Sequence, residues 1–426
     1  MLSKQASCLF FKRVKARQEG FFANRSRRGR SDSQQSGLKQ MKPANSILSS
    51  YGTTIFETMS RLAQEHNAVN LGQGFPDGNG PADVVDAATG YLRNGLNQYP
   101  PMAGLPALRQ AVANSNRRFY GLDVDWQCEV AVTSGATEAL ASSLFAMIEP
   151  GDEVVLIEPL YDSYLPIVRR AGGVPKLVRL EPPDWRLPEE SLAAAFSERT
   201  KLILLNTPMN PCSKVFSREE LSVIADLVLR YDACALCDEV YEHLVFDGAS
   251  HVPLMSLPGM RDRCIRIGSA GKTFSLTGWK VGYVTACPAL LQPILKAHQF
   301  LTFTTPPNLQ AAVAYGLEKA DEYFTGLAAD LQARRDHLSD GLRDIGFKVL
   351  DCQGSYFITT DFRPLGFNGT DEEFCRHITT EARVAAVPVS AFYESGDIAH
   401  FARFCFCKEI ASLDEALNRL QKHFGK

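Results

Sequence analysis

Two lysines eight residues apart, Lys272 and Lys280, stand in the stretch Ser269-Ala-Gly-Lys272-Thr-Phe-Ser-Leu-Thr-Gly-Trp-Lys280. The apolar run Cys264-Ile-Arg-Ile-Gly268 just before it reads as a strand. A loop of small and hydroxyl residues after a strand lets a lysine reach a ligand and offers hydroxyls and backbone N–H groups to a phosphate. The amine can also form a Schiff base with a carbonyl compound. Three further segments add chemistry. Cys237-Asp238-Glu-Val-Tyr241 follows the apolar run Ala233–Cys237, and a carboxylate at the C-terminal end of a buried α/β strand points into the ligand crevice. Asn206-Thr-Pro-Met-Asn210-Pro211 closes the apolar run 201–205 with a proline-punctuated turn bearing two amides. Thr133-Ser134-Gly135-Ala136-Thr137 lies between a strand at 130–133 and a helix at 136–148, and the first N–H groups of a helix hold anions. Each segment alone has an ordinary reading: a solvated basic loop, a helix N-cap at Asp238, a plain turn, a common strand-to-helix turn.

Together they meet the needs of one cofactor. Pyridoxal phosphate requires an amine for its aldehyde, a cradle for its phosphate and a carboxylate against its ring nitrogen. The carboxylate keeps the ring protonated, so that the ring can accept electrons from a substrate carbanion. Tyr241, three residues after Asp238, is placed to reach the ring hydroxyl.

The elements that must position these groups follow from periodicity. Strands are expected near 130–133, 153–158, 174–178, 201–205, 233–237, 264–268 and 281–285, with helices near 136–148, 162–171, 188–197 and 217–230. Short apolar strands alternating with helices predict an α/β fold with a mostly parallel seven-stranded sheet covered on both faces. The chemical segments fall at strand C-termini and therefore converge on one edge. A long helical stretch at 307–345 leads to a smaller α+β domain, with strands near 355–360 and 401–406 and helices near 371–382 and 411–424. The expected division is an extension at 1–45, an N-terminal arm at 46–90, a large domain at 91–320 and a small one at 321–426.

These segments, with Asn70-Leu-Gly-Gln-Gly74-Phe-Pro-Asp77, Asn97-Gln-Tyr99, Tyr161-Asp-Ser-Tyr164, Gly278-Trp-Lys-Val-Gly282 and Ala402-Arg403-Phe-Cys-Phe, resemble the fold-type I, class I/II aminotransferases from about Ser49 to the C-terminus. Within that group the chain is most similar to kynurenine/glutamine aminotransferases, which are also cysteine-S-conjugate β-lyases, and to bacterial methionine aminotransferases. The resemblance implies that Lys272 holds pyridoxal phosphate and shuttles the substrate proton. It implies that Asp238 pairs the ring nitrogen and that Asn210 and Tyr241 bond the ring oxygen. Tyr161 would stack on the ring. Gly135, Ala136, Thr137, Ser269 and Lys280 would cradle the phosphate, Asn206 would join the cofactor site, and Tyr99 would reach the phosphate from the other subunit of a homodimer. Arg403, helped by Asn210 and the Gly74 backbone, would grip the substrate α-carboxylate in a bidentate fork. Phe56 and Phe303, with Tyr99 and Tyr161, would form an aromatic side-chain pocket. The chain departs from the group's pattern at Phe56, where kynurenine enzymes often carry tryptophan, at Cys212-Ser213, and at Thr304 after Phe303. All three bear on substrate preference.

The implied reaction is ping-pong transfer of an amino group from an aromatic or sulfur-containing L-amino acid to a 2-oxo acid. β-Elimination from cysteine S-conjugates is the alternative on the same site. A regulatory module would need a fused DNA-binding domain, and an inactive scaffold would be expected to lose Lys272 or Asp238.

Composition agrees. The chain has 426 residues, 45% of them hydrophobic, enough for more than one domain. A net charge of −3 disfavours a nucleic-acid or acidic-membrane partner, and no apolar run is long enough for a membrane helix. Cys234-Ala-Leu-Cys237 has the spacing of half a zinc or redox site, but without a matching second pair it reads as core, and no metal is expected. Residues 1–45 carry eleven Lys/Arg against Glu19 and Asp32. They read either as a mitochondrial or plastid transit peptide or as translated upstream sequence before Met41, the second implying a cytoplasmic protein.

Overall fold

The computed structural model describes residues 42–425; the expected extension, up to residue 41, lies outside them. From Asn45 onward the chain forms one compact unit. In chain order the strands are β1 (Val69–Asn70), β2 (Val130–Thr133), β3 (Glu153–Glu158), β4 (Val174–Arg179), β5 (Thr200–Asn206), β6 (Cys234–Asp238), β7 (Cys264–Ser269), β8 (Gly282–Thr285), β9 (Lys348–Val349), β10 (Phe357–Asp361), β11 (Val384–Ala385), β12 (Val387–Pro388) and β13 (Phe401–Cys405).

Seven of them form a sheet in the order β2-β8-β7-β6-β5-β3-β4. Strand β3 is buried along its whole length and β5 nearly so, as continuous apolar runs require when helices cover both faces. All neighbours are parallel except β8, which runs antiparallel to both β2 and β7. That single reversal matters for the site. The start of β8, Gly282, pairs with the last residues of β2 and β7, Thr133 and Ser269. Lys280, two residues earlier, is thereby delivered to the edge where the parallel strands end.

A second sheet, β12-β13-β10-β9, is antiparallel, and β1 pairs in parallel with β11 beside it. The N-terminal segment thus packs on the C-terminal sheet. The helical stretch expected over 307–345 is two helices, Pro307–Leu317 and Asp321–Ile345. Asp321 and Glu322 in the first turn favour a fresh N-terminus there. The expected helix at 371–382 changes to a π-helical turn at Ile378–Ala382, closed by Arg383 in the left-handed conformation. No helix among the described residues is long and apolar enough to cross a membrane.

Candidate active site

The strand ends meet in a cavity of about 350 Å³ lined by Gly135, Ala136, Thr137, Tyr161, Asn206, Asn210, Asp238, Tyr241, Ser269, Lys272, Lys280, Gly74, Phe56 and Arg403. Fourteen of the sixteen residues expected at the site therefore share one space. Tyr99 and Phe303 do not line it. They meet edge-to-face at 5.4 Å on the surface, Tyr99 being 83% exposed, so Phe303 is no wall of this chain's own cavity.

One end of the cavity is a built anion cradle. Helix Ala136–Met147 starts at Gly135 with no side chain capping its first N–H groups. Gly135 has φ +81°, and a Cβ there would lie 3.2 Å from Lys280 Cε. Gly282 fits equally closely, since its Cβ would stand 2.6 Å from the Gly135 carbonyl carbon. Glycine at both positions lets the β8 backbone bring Lys280 over the helix start. Lys280 itself adopts φ +54°.

Asp238 ends β6 beside Asn206 of β5, its register partner. Tyr164 donates to Asp238 Oδ2 at 2.6 Å. Burial pushes the Asp238 carboxyl above its ordinary pKa, against the pull of Tyr164 and Lys272. A cationic ring nitrogen is the kind of partner such a carboxylate accepts. Asn206 lines the cavity and also braces it: its amide donates to Asp238 O at 2.8 Å, and its oxygen accepts Asn210 N–H at 2.8 Å. Each group bonds the backbone once, so Asn206 fixes the positions of Asp238 and Asn210 and keeps a second N–H.

Lys272 sits in the short helix Ala270–Thr273, its Nζ donating to Tyr356 Oη at 2.6 Å. Burial pushes its pKa below the ordinary lysine range, against the opposing pull of Asp238. Tyr241 is buried and meets Tyr356 edge-on at 5.0 Å. Burial also raises the Tyr161 hydroxyl to about 12, so this ring stays neutral.

Arg403, on β13, is 1% exposed. Nη1 donates to Asn210 Oδ1 at 2.7 Å and Nη2 to Gly72 O at 2.8 Å, while Nε has no partner among the described residues. Three rings surround the guanidinium: Phe357 at 3.9 Å, and Phe56 and Phe392 each at 5.2 Å. Burial pulls its pKa down to about 10, which still leaves it charged. The backbone carbonyl that meets Arg403 belongs to Gly72, and the Gly74 carbonyl accepts from Tyr356 at 2.6 Å.

Residue type and spacing alone give no role to Tyr164, Tyr356, Phe357 or Phe392. Tyr356 lies 84 positions from Lys272 and Tyr164 lies 74 from Asp238. The only available signal was the tyrosine at the end of Tyr161-Asp-Ser-Tyr164 and the one opening the strand at 355–360. Asp162 also lines the cavity; burial raises its pKa and Arg403 opposes the shift.

The family profile described as aminotransferase class I and II matches residues 66–420. A probable N-succinyldiaminopimelate aminotransferase of Mycobacterium tuberculosis is 44% identical over 88% of this chain and 97% of its own. A solved structure of N-succinyldiaminopimelate aminotransferase from that organism has a TM-score of 0.87, covering 89% of this chain and 100% of the other, at 44% identity. The methionine aminotransferase of Escherichia coli is 38% identical over 88% of this chain and 97% of its own. Human kynurenine–oxoglutarate transaminase 1 is 38% identical over 85% and 94%. The lysine loop, the carboxylate strand end and the arginine strand thus occur in a chain that belongs to the class I and II aminotransferases, a family of pyridoxal-phosphate-dependent enzymes.

Proposed function

We propose that this aminotransferase takes the amino group from an aromatic or thioether L-amino acid and passes it to a 2-oxo acid. The observation that carries the reading is Arg403, a buried guanidinium whose Nε has no partner among the described residues, set between Phe56, Phe357 and Phe392. An α-carboxylate held by this arginine lays the rest of the donor against aromatic surface. The cavity's other cations, Lys272 and Lys280, lie at the amine and anion positions, and Asp162 adds negative charge. Among the described residues that line the cavity, an acidic side chain would find no further cation and a nearby carboxylate, Asp162.

Pyridoxal phosphate, when bound, supplies the electron sink for the carbanion. Its aldehyde would be held by Lys272, its ring nitrogen by Asp238, its ring oxygen by Asn210 and Tyr241, and one face by Tyr161. Its phosphate would be held by Gly135, Ala136, Thr137, Ser269 and Lys280. Arg403 orients the donor, and Lys272 Nζ takes the substrate proton. Orientation of this kind accounts for a large share of an enzymatic rate.

A donor panel tests the substrate reading. Methionine, phenylalanine and kynurenine should turn over with a 2-oxo acid, and aspartate and N-succinyl-diaminopimelate should not. Preference for either acid would overturn the aromatic reading, while release of a thiol from a cysteine S-conjugate without any 2-oxo acid would move the assignment to β-elimination.

The working unit we propose is a homodimer with shared sites. Tyr99 stands away from its own cavity, and exposed Leu96, Phe300 and Leu301 offer apolar surface for a second copy. Mixing Tyr99→Phe chains with Lys272→Ala chains should restore activity, because one site of each heterodimer then carries neither lesion. Heterodimers that form without recovery would return Tyr99 to its own subunit.

A further inference from the structure

Tyr356 Oη lies between two partners, Lys272 Nζ at 2.6 Å and the Gly74 carbonyl at 2.6 Å. A tyrosine hydroxyl has one proton, and a carbonyl can only accept. The proton therefore goes to Gly74, and the oxygen faces Lys272 as an acceptor. Lys272 must donate an N–H to it. Once one N–H is committed there, the lone pair of the neutral amine turns away from Tyr356 and shares the remaining positions with the second N–H.

The tyrosine is held rigidly enough for this. It is 2% exposed and follows Ser355, which has φ +62°. Such a conformation in a serine persists only where its surroundings enforce it. Here Ser355 N–H donates to Leu244 O at 2.9 Å, the Ser213 and Ser355 hydroxyls meet at 2.9 Å, and Phe406 N–H donates to Tyr356 O at 3.0 Å. Gly74 is equally constrained, since a Cβ there would stand 2.8 Å from Phe357 Cζ. The contacts also link the base to the carboxylate site, because Gly72, which Arg403 holds, is in the same loop as Gly74.

We propose that Tyr356 is a positioning residue for proton transfer: as an obligate acceptor it fixes the Lys272 ε-amine with its lone pair turned away from Tyr356 and available to the bound donor. The inference rests on the reading of Lys272 as the group that takes the substrate proton. The charged and titratable groups facing Lys272 are Asp238, Tyr241, Tyr356, Arg403, Cys405 and Cys407, and Tyr356→Phe leaves all but Tyr356 in place. An ammonium donates a stronger hydrogen bond than an amine, so losing the acceptor lowers the Lys272 pKa further.

The test uses the full chain in wild-type, Tyr356→Phe and Lys272→Ala forms. Without cofactor, the rate of condensation with pyridoxal is followed against pH, with Lys272→Ala as the background. With cofactor, kcat and KM are measured for methionine. In Tyr356→Phe the midpoint of the condensation profile should fall by about one pH unit, and kcat should fall by about tenfold or more with KM within about threefold. An unchanged midpoint with kcat within about threefold of wild type, while Lys272→Ala is inactive, would overturn the role of Tyr356. Retained turnover in Lys272→Ala would instead overturn the Lys272 reading beneath it. Should Tyr356→Phe fail to fold, a structure of the wild-type holoenzyme with a bound donor analogue decides. Lys272 Nζ within hydrogen-bond distance of Tyr356 Oη supports the proposal, and a separation beyond about 4 Å defeats it.

Discussion

Strand β6 ends in Asp238-Glu239, and the two carboxylates lie in different electrostatic surroundings. Asp238 faces the cavity. Glu239 joins a buried cluster in which Arg266 binds both Glu239 and Glu242 and donates to Asn116 at 2.7 Å, with His251 2.9 Å from Glu239 and the Tyr120 ring 4.4 Å from the guanidinium. Burial disfavours charge in both places, yet the outcomes are opposite. In the cluster the ion pairs outweigh burial, so Glu239 and Glu242 are pulled down, Glu242 to about 2, and Arg266 is pushed up. In the cavity burial wins: Asp238 is pushed up, and Lys272 and Arg403 are pushed down. Charges paired within the chain belong to the scaffold. In the cavity, the charges driven toward neutrality are the ones that a ligand's own charges would pair.

The largest effect that could break this contrast is chemical. Lys272→Ala should lower kcat by on the order of 10⁴-fold, with the visible cofactor absorbance lost; turnover near wild type would remove the cavity from the chemistry. Next comes an isosteric pair read on the cofactor-free chain by denaturant unfolding. Glu242→Gln should cost about 1.5–3 kcal/mol, because it weakens a charge-assisted bond to buried Arg266 while Glu239 stays in place. Asp238→Asn should leave stability within about 1 kcal/mol, yet lower kcat of the holoenzyme by about 10²-fold or more. Equal stability losses in the two variants would erase the distinction.

Arg403→Lys should lower kcat/KM by about 10²-fold for every donor alike, since a point charge cannot reproduce the guanidinium fork and misplacement costs rate. A loss confined to one class of side chain would place Arg403 away from the α-carboxylate. The smallest effect is the pH response. The folded pKa of Glu242, about 2 against 4.5, gives stability present above pH 4.5 and lost as pH falls toward 2. That loss is on the order of 3 kcal/mol and should shrink in Glu242→Gln. Asp238 runs the other way, its raised pKa making the folded state less favoured as pH rises above 3.8. Unfolding free energies of the two variants at pH 3 and pH 5.5 separate these slopes.

Local chemistry made much of this protein legible. Strands β2 and β3 match the ranges expected from apolar runs, β7 differs by one residue at one end, and β5 and β6 by one residue at each end, because a strand buried on both faces leaves a continuous apolar signature. Lys272, Asp238, Asn210 and Gly135 were legible because they sit at strand ends, where sequence position and spatial position coincide. Tertiary structure alone decided the rest. The antiparallel insertion of β8 between β2 and β7, which carries Lys280 to the anion cradle, depends on sheet order, and no apolar pattern encodes the direction of a strand. The bonding of Asn206 to the Asp238 backbone, the Tyr164 bond to Asp238, the seating of Tyr356 between Lys272 and Gly74, and the division of neighbouring carboxylates between cavity and cluster are contacts across tens to hundreds of residues. Such contacts are set by packing between elements, whereas residue type and spacing determine only what each element can offer.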